Sequence, residues 1–286
     1  MGPAFPPAGP FFLVPRAMSH MKATSKGVRM HDNLRLTIAD GIARLHIDRP
    51  DKRNAMDQAM WEAFPQLVDR AMVDPATRLL IVGSAHPGAF CAGADISEFA
   101  RSSSDPAWRN RNQAAIRATQ ITLARAPKPT IAMIDGDAVG GGCGIALACD
   151  MRIASPRARM GITPAKLGLV YPLHDTRLLI DLVGTAQARR LLFSAMLIDA
   201  DEALRIGLVQ QLAVDLEAAV MALAGQMLAV SSASQRATKV IVQRIIEGAH
   251  DDDAVSAAGF DAAFTGTDFH EGVAAFLEKR TARFGQ

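Results

Sequence analysis

The sequence predicts an α/β protein, and three features carry this prediction. Short apolar runs of strand length alternate with stretches of helical spacing along most of the 286 residues. Glycine-rich turns connect several of these runs to the segments that follow. The composition, with 49% hydrophobic and 21% charged residues, is ordinary for a globular chain. A chain of this length favours one large domain with an appendage over two independent domains.

The first 30 residues differ from the rest, because they contain five prolines, four lysines or arginines and no acidic residue. A basic, acid-poor start is typical of a mitochondrial transit peptide, but the prolines oppose the amphipathic helix that such a peptide forms. We therefore predict a disordered tail over residues 1–30 and a cytoplasmic protein. A mitochondrial matrix protein is the alternative.

The elements after the tail follow from periodicity and capping signals. Two runs around Asp40-Gly41 predict a β-hairpin in which Ala43, Leu45 and Ile47 share one face. Asp57 can cap a helix whose apolar stripe includes Met60, Phe64, Leu67, Val68 and Ala71. The pattern then predicts, in order, a strand at 78–83, a helix at 105–125, a strand at 130–135, a helix at 142–149, a strand at 151–154 and a mostly helical remainder with a short strand at 209–214.

Three consecutive glycines, Gly140 to Gly142, stand where the strand at 130–135 leads into the next helix. Without Cβ atoms, another molecule can approach the backbone closely there. The first N–H groups of a helix have no intrahelical partner and lie at the positive end of its dipole. The pattern therefore indicates an oxyanion site, with tight packing of helix on sheet as the alternative. A dinucleotide fingerprint is excluded, because the places for its third glycine hold Ile145 or Leu147.

A second motif, Ala89-Phe-Cys-Ala-Gly-Ala-Asp-Ile96, follows the apolar strand Leu79–Val82. Together the two motifs resemble the crotonase superfamily, also called the enoyl-CoA hydratase/isomerase family. The stretches 49–56 and 268–280 are similar to that family's first CoA-contacting turn and closing helix. The resemblance covers residues 34–284. It implies a spiral of ββα units over 31–225 and a helical region over 226–286 that assembles homotrimers or hexamers. It also implies an acyl-CoA thioester as substrate and no further cofactor.

The resemblance assigns roles to individual residues. The backbone N–H groups of Ala94 and Gly141 would hold the thioester oxygen as negative charge builds on it, with small neighbours beside them at Ala92 and Gly140. Further substrate or CoA contacts are implied for Ala55, Asp95, Ile96, Thr163 and Lys279. Two of these have plain structural alternatives, since Asp95 can be a helix N-cap and Lys279 a solvated lysine at a helix end.

Both glutamates of the family's standard hydratases are absent. Gly144 stands at one of their positions and Pro164 at the other. Neither residue can move a proton, and a positioned general acid or base contributes roughly 10²–10⁴-fold to a rate. We therefore do not expect the two-glutamate hydration mechanism.

Tyr171, the only tyrosine, lies just beyond the second missing glutamate. The segment from Thr163 through Tyr171 is similar to the methylmalonyl-CoA decarboxylase branch of the family. In that branch the tyrosine faces the substrate carboxylate, and a histidine stands at the position of Ala94. The alternative for Tyr171 is a core aromatic residue. His174, Asp175 and Arg177 follow Tyr171 and are candidates to reach the same pocket, where His174 would contact the substrate. For His174, a histidine at the surface or at a helix start is the favoured alternative.

The predicted function is therefore an acyl-CoA lyase, with decarboxylation of a malonyl-type thioester ahead of hydration or double-bond isomerisation. Those two alternatives need a non-standard base, for which His174, Asp175 and Glu98 are the candidates. A non-catalytic CoA-thioester binder or scaffold is a further alternative.

Other classes of partner are not expected. The net charge is +2 and the basic residues are scattered, which argues against nucleic acid. No apolar stretch approaches the ~20 residues of a membrane span. Cys91, Cys143 and Cys149 lie in apolar or glycine-rich contexts, which favours free thiols in a reducing compartment. No cysteine–histidine cluster has the spacing of a metal site.

Overall fold

The structure, a computed structural model, describes residues 26–285. The predicted transit peptide or tail therefore lies mostly outside the described residues. The first strand begins at Lys26 and pairs with the second strand through Lys26 opposite Ile38. Regular structure thus begins inside the segment 1–30 that we assigned to the tail.

Eleven strands are present in the described part of the chain. They are β1 Lys26–His31, β2 Leu34–Ala39, β3 Ile42–Ile47, β4 Leu79–Ser84, β5 Ala89–Cys91, β6 Thr130–Ile134, β7 Asp137–Val139, β8 Met151–Ala154, β9 Arg159–Gly161, β10 Ile198–Asp199 and β11 Gln211–Leu212. Seven form one sheet in the order β1-β2-β3-β4-β6-β8-β11, and four form a second sheet in the order β10-β9-β7-β5.

Ten α-helices accompany them within residues 26–285. They are α1 Gln58–Val73, α2 Ile96–Ser102, α3 Pro106–Ala124, α4 Gly141–Ala148, α5 Leu173–Ser194, α6 Ala200–Arg205, α7 Leu216–Leu228, α8 Ser232–Ile246, α9 Ala254–Thr265 and α10 Thr267–Leu277. Two short 3₁₀ helices, Pro50–Lys52 and Pro164–Leu167, precede α1 and α5.

From β4 to β9 the chain alternates between the two sheets, and each pair of strands is followed by helix. β4 and β5 precede α2 and α3, β6 and β7 precede α4, and β8 and β9 precede α5. Within the large sheet β4, β6 and β8 are parallel neighbours, and within the small sheet β5, β7 and β9 are. The units therefore stack on one another, and the predicted spiral of ββα units is confirmed.

The predicted hairpin is formed by β2 and β3. Its turn residues Asp40 and Gly41 have φ values of 51° and 82°, as a two-residue turn between antiparallel strands requires. Ala43, Leu45 and Ile47 are fully buried on one face of β3. The strongest local signals in the sequence were therefore confirmed.

Helix α1 also follows the prediction, with the Asp57 side chain accepting a hydrogen bond from the Met60 N–H at 3.0 Å. Pro65 lies inside this helix. It has no N–H, so it cannot donate to the Trp61 carbonyl one turn earlier. The Thr119 hydroxyl of α3 donates to that carbonyl instead, at 3.0 Å. Contact between α1 and α3 thus satisfies the carbonyl that Pro65 leaves free.

The C-terminal helices differ from the core in their exposure. Leu216, Val220 and Ala224 of α7 pack on the large sheet, so our boundary at residue 226 falls inside a core helix. In contrast, α8, α9 and α10 together bury one residue, Ala275. In the described part of the chain, only the bent pair α7 and α8 has the length and composition of a membrane span, and no single helix does.

Candidate active site

Three loops meet at the carboxyl ends of the neighbouring parallel strands β5, β7 and β9. They contain Ala92 to Asp95, Gly140 with Gly141, and Thr163, respectively. Since the strands are parallel and adjacent, their carboxyl ends lie along one edge of the sheet, where ligands bind in many open α/β sheets. The sheet register thus brings together residues that are about 70 positions apart in sequence.

The backbone of Ala94 lies beside the backbone of Gly141. A Cβ atom built at Gly93 would lie 3.3 Å from the Gly141 nitrogen, and one built at Gly141 would lie 4.0 Å from the Ala94 nitrogen. Gly93 has a φ of 92° and Gly140 a φ of 55°, which favours glycine at both positions. The two predicted donors are therefore close together.

Neither the Ala94 nor the Gly141 N–H donates a hydrogen bond to another atom among residues 26–285, although their neighbours do. The N–H groups of Asp95 and Gly140 donate to the carbonyls of Met56 and Gly161, both at 2.9 Å. The loop backbone is thus held in place while the two donors stay available. Preorganised donors of this kind form an oxyanion hole.

The far end of α4 carries a buried cation. The Arg152 guanidinium donates to the carbonyl oxygens of Cys149 at 2.6 Å and Ala146 at 3.3 Å, and to that of Leu208 at 2.8 Å. Burial lowers the pKa of Arg152 below its usual value. A cation at the C-terminus and an oxyanion site at the N-terminus both match the helix dipole.

Trp61 forms one wall of the site, and sequence reasoning did not identify this residue. Its side chain is fully buried, and its ring carbons lie 3.0 Å and 3.1 Å from a Cβ built at Gly141. A side chain at position 141 would therefore press on this ring. The glycine is required for space as well as for access to its N–H.

The side-chain space of Gly144 is already filled. A Cβ built there would overlap the Gln120 amide and would lie 2.9 Å from the Tyr171 hydroxyl oxygen. That hydroxyl is buried and has no hydrogen-bond partner among the described residues. Burial, followed by the charge of Asp175, raises the pKa of Tyr171 well above its usual value. Tyr171 is therefore a neutral donor that faces a position where the family's hydratases carry a glutamate.

Behind Gln120 lies Asp175, which is 2% exposed. With its nitrogen turned toward the carboxylate, the Gln120 amide donates to Asp175 at 2.9 Å. Burial raises the pKa of Asp175 to about 7. A carboxyl group thus lies one side chain away from Gly144. Sequence reasoning named Asp175 as a candidate base, but it missed Gln120.

The residues predicted to contact CoA flank this site. Ala55 precedes Met56, which pairs with Ala94. The Ala55 carbonyl accepts a hydrogen bond from the Arg49 guanidinium at 2.9 Å. Ile96 is 53% exposed at the start of α2. A Cβ built at Gly140 would lie 3.6 Å from the Thr163 hydroxyl oxygen. These positions fit the predicted roles, which stay predictions.

Asp95 takes the structural role that we gave as its alternative. Its side chain accepts the Ser97 N–H at 2.9 Å and so caps α2, and it pairs with Arg49 at 3.0 Å. Burial raises the pKa of Asp95, but these hydrogen bonds outweigh burial and leave the pKa below its usual value. Glu98, a candidate base for hydration, accepts the Gln58 N–H at 2.8 Å and so caps α1.

His174 and Lys279 are the other two residues that were predicted to contact the substrate or CoA. His174 lines a separate cavity of about 760 Å³ between α5 and α8. Burial, with Arg117, Arg125 and Arg177, lowers its pKa. Lys279 is exposed just after α10. Cys143 is buried, which raises the pKa of its thiol to about 12, so packing is its role here.

The structure is thus a spiral of ββα units with two N–H groups, those of Ala94 and Gly141, that have no hydrogen-bond partner within residues 26–285. Comparison with known proteins identifies the family to which this chain belongs. The model of the enoyl-CoA hydratase/isomerase family matches residues 37–286. The chain therefore belongs to the enoyl-CoA hydratase/isomerase family, and it is an enzyme of this acyl-CoA-processing superfamily.

Individual relatives agree with this assignment. A crotonyl-CoA hydratase from Syntrophomonas wolfei is 35% identical over 89% of this chain and 98% of its own length. The mitochondrial methylglutaconyl-CoA hydratase of Rattus norvegicus is 32% identical over 94% of this chain and 88% of its own. A solved structure of an enoyl-CoA hydratase/isomerase family protein from Hyphomonas neptunium is 38% identical, with a TM-score of 0.85 over 88% of this chain and 97% of its own. Since the relatives include bacterial and mitochondrial proteins, the predicted cytoplasmic location stays a prediction.

Proposed function

We propose that this protein is an acyl-CoA lyase that removes CO₂ from a malonyl-type acyl-CoA. The observation that carries this proposal is the buried hydroxyl of Tyr171 in the side-chain space of Gly144, which has no hydrogen-bond partner in the part of the chain that the structure describes. A donor there suits the carboxylate of a substrate whose thioester oxygen lies between the Ala94 and Gly141 N–H groups. A malonyl-type thioester carries both groups, separated by a single carbon.

The reaction needs no base to begin. The bond between the α-carbon and the carboxylate breaks, its electron pair forms the thioester enolate, and CO₂ leaves. The negative charge then accumulates on the thioester oxygen, where the two backbone N–H groups stabilise it, and losing one such donor typically costs about 3–4 kcal/mol. The α-carbon finally takes a proton. The absence of glutamates at positions 144 and 164 is therefore compatible with this chemistry.

A second candidate is hydration or double-bond isomerisation with Asp175 as the base. It is favoured by the raised pKa of this buried carboxyl group, about 7, and by its link through Gln120 to the space of Gly144. Two relatives named above are hydratases. We rank it second because the carboxyl group lies behind Gln120, whereas the Tyr171 hydroxyl borders that space directly.

The test uses the full-length protein with methylmalonyl-CoA, ethylmalonyl-CoA and crotonyl-CoA in parallel, followed by mass spectrometry. We expect loss of CO₂ from a malonyl-type thioester. Tyr171→Phe removes a hydrogen bond to a charged group, so kcat/KM should fall about 10–100-fold. Ser194→Ala, which removes an exposed hydroxyl at the far end of α5, is the control and should change nothing. Addition of water to crotonyl-CoA would support the second candidate. Binding without turnover would support a non-catalytic CoA-thioester binder.

We also propose that the protein assembles as a homotrimer or hexamer through its C-terminal helices. Large apolar side chains are exposed there, including Phe276 at 83%, Phe260 at 66% and Ile245 at 61%. Exposed patches of this kind mark interaction surfaces. Light scattering that gives the mass of a monomer at micromolar concentration would contradict this proposal.

A further inference from the structure

The Arg49 guanidinium lies where the turn over residues 49–56 meets the loop after β5. Its Nη1 donates to the carbonyl oxygen of Ala55 at 2.9 Å. The same nitrogen lies 3.0 Å from a carboxylate oxygen of Asp95 and 3.6 Å from one of Asp57. The Arg49 side chain is only 17% exposed, so solvent screens these interactions weakly. One cation thus joins three separate points of the chain beside the candidate site.

Asp57 and Asp95 each cap a helix with one carboxylate oxygen and face Arg49 with the other. Oδ1 of Asp57 accepts the Met60 N–H at 3.0 Å at the start of α1. Oδ1 of Asp95 accepts the Ser97 N–H at 2.9 Å at the start of α2. The Oδ2 atoms of both residues face the guanidinium. Without this cation, two partly buried carboxylates would lie near each other, and their repulsion would drive them apart.

The backbone would pass such a displacement on to the Ala94 donor. The carbonyl of Met56, the residue before Asp57, accepts the Asp95 N–H at 2.9 Å. The Met56 N–H donates to the Gly93 carbonyl at 2.7 Å. Met56 therefore holds both neighbours of Ala94, with which it forms a β-bridge. If Asp95 moves relative to Asp57, the Ala94 N–H moves with it.

We infer that Arg49 is a positioning residue that fixes the Ala94 N–H for the substrate. It does so by holding the carboxylates of Asp57 and Asp95 on one guanidinium, without touching the thioester itself. The same cation holds the Ala55 carbonyl, so the turn predicted to contact CoA keeps its distance from the donor. A misplacement of about 1 Å can lower a rate about 10²-fold. This role rests on the proposed oxyanion hole and is the same for decarboxylation and for hydration.

The first experiment measures the isotope-edited infrared frequency of the thioester carbonyl in butyryl-CoA bound to the full-length protein. Butyryl-CoA has no carboxylate to lose, so the frequency reports on the oxyanion hole without turnover. Hydrogen-bond donors at the oxygen lower this frequency, and we expect Arg49→Gln to lose most of the wild-type shift. Arg44→Gln is the matched control and should keep the shift. Arg44 has a similarly covered side chain, 24% exposed, but it donates to Glu217 of α7 at 3.2 Å.

The second experiment tests whether the two carboxylates carry the effect. Asp57→Asn removes one charge but keeps a side chain that can cap α1. On its own it should leave the carbonyl shift near the wild-type value. In the Arg49→Gln background it should restore most of the shift, because Asp95 then meets no second negative charge. A general loss of folding would not be repaired in this way, and thermal melts check that each variant is folded.

Two further measurements sharpen the test. Arg49→Lys keeps a charge between the carboxylates but lacks the planar fork of a guanidinium, so it should lose a smaller part of the shift. If Arg49→Gln does not fold, a wild-type shift in Arg49→Lys would overturn the inference. With a malonyl-type thioester that is turned over, kcat in Arg49→Gln should fall about 10–10²-fold, whereas Arg44→Gln should match the wild type.

The outcomes separate this inference from the proposed function. A wild-type carbonyl shift in Arg49→Gln would overturn the role of Arg49, and so would a lost shift that Asp57→Asn does not restore. If no malonyl-type thioester loses CO₂ while the carbonyl shift behaves as expected, the proposed function fails and the role of Arg49 stands. If butyryl-CoA bound to the wild-type protein shows no shift, the oxyanion hole is absent and both are overturned.

Discussion

The two halves of the candidate site are built in different ways. One half consists of backbone N–H groups at Ala94 and Gly141, held by the register of β5 and β7 and by glycines with positive φ. The other half consists of the side chains of Gln120 and Tyr171, which reach the space of Gly144 from other elements, and of Asp175 behind Gln120. A backbone donor needs only small residues around it, so the first half keeps the family motif. The chemistry of the second half depends instead on which side chains stand at these positions.

The largest effect should come from removing a backbone donor. Gly141→Pro deletes the N–H at the first position of α4, a helix position where proline is tolerated. We expect kcat for the turnover reaction to fall about 10²–10³-fold relative to the control. The control is Gly141→Ala, which also places a Cβ atom about 3.0 Å from the Trp61 ring but keeps the N–H. Equal rates in the two variants would show that this N–H does not stabilise the transition state.

The backbone half could be predicted from the sequence because its requirements are visible as residue types. The glycines at 93 and 140 to 142, and the strands before them, mark where the chain turns and which N–H groups are free. The hairpin, α1 and the strands β4, β6 and β8 were also predicted, because each has a strong local pattern. The spiral was not visible in any local pattern and depended on the family resemblance.

The side-chain half was predicted only in part. Tyr171 and Asp175 were named, but Gln120 was not, because contact between α3 and α5 depends on packing between residues about 50 positions apart. A signal was present in α3. Asn112, Thr119 and Gln120 are polar residues on its buried face, and each donates a hydrogen bond to another element. Polar residues on the buried face of a helix need such partners, so they point to specific contacts.

A smaller effect tests whether Gln120 really occupies the place of the missing glutamate. Gly144→Glu alone should destabilise the protein by about 1–3 kcal/mol, because its side chain meets the Gln120 amide and the Tyr171 hydroxyl. In a Gln120→Ala background the same substitution should cost much less, since the space is then open. Urea unfolding of the four proteins gives this coupling energy. Additive costs would mean that Gln120 does not fill that space in solution.

The smallest effect concerns Trp61, whose ring packs beside Gly141 in the half of the site that consists of backbone N–H groups. Thr119→Val removes the hydroxyl that donates to the Trp61 carbonyl at 3.0 Å, and Pro65 cannot replace it. A buried carbonyl without a donor costs about 1–3 kcal/mol, so we expect a loss of stability near the lower end of that range. In a Pro65→Ala background the alanine N–H can donate to Trp61, and the cost of Thr119→Val should nearly vanish. If urea unfolding gives the same cost in both backgrounds, the hydroxyl stabilises α1 and α3 by packing alone. The hydrogen bond would then contribute nothing to holding Trp61 against Gly141.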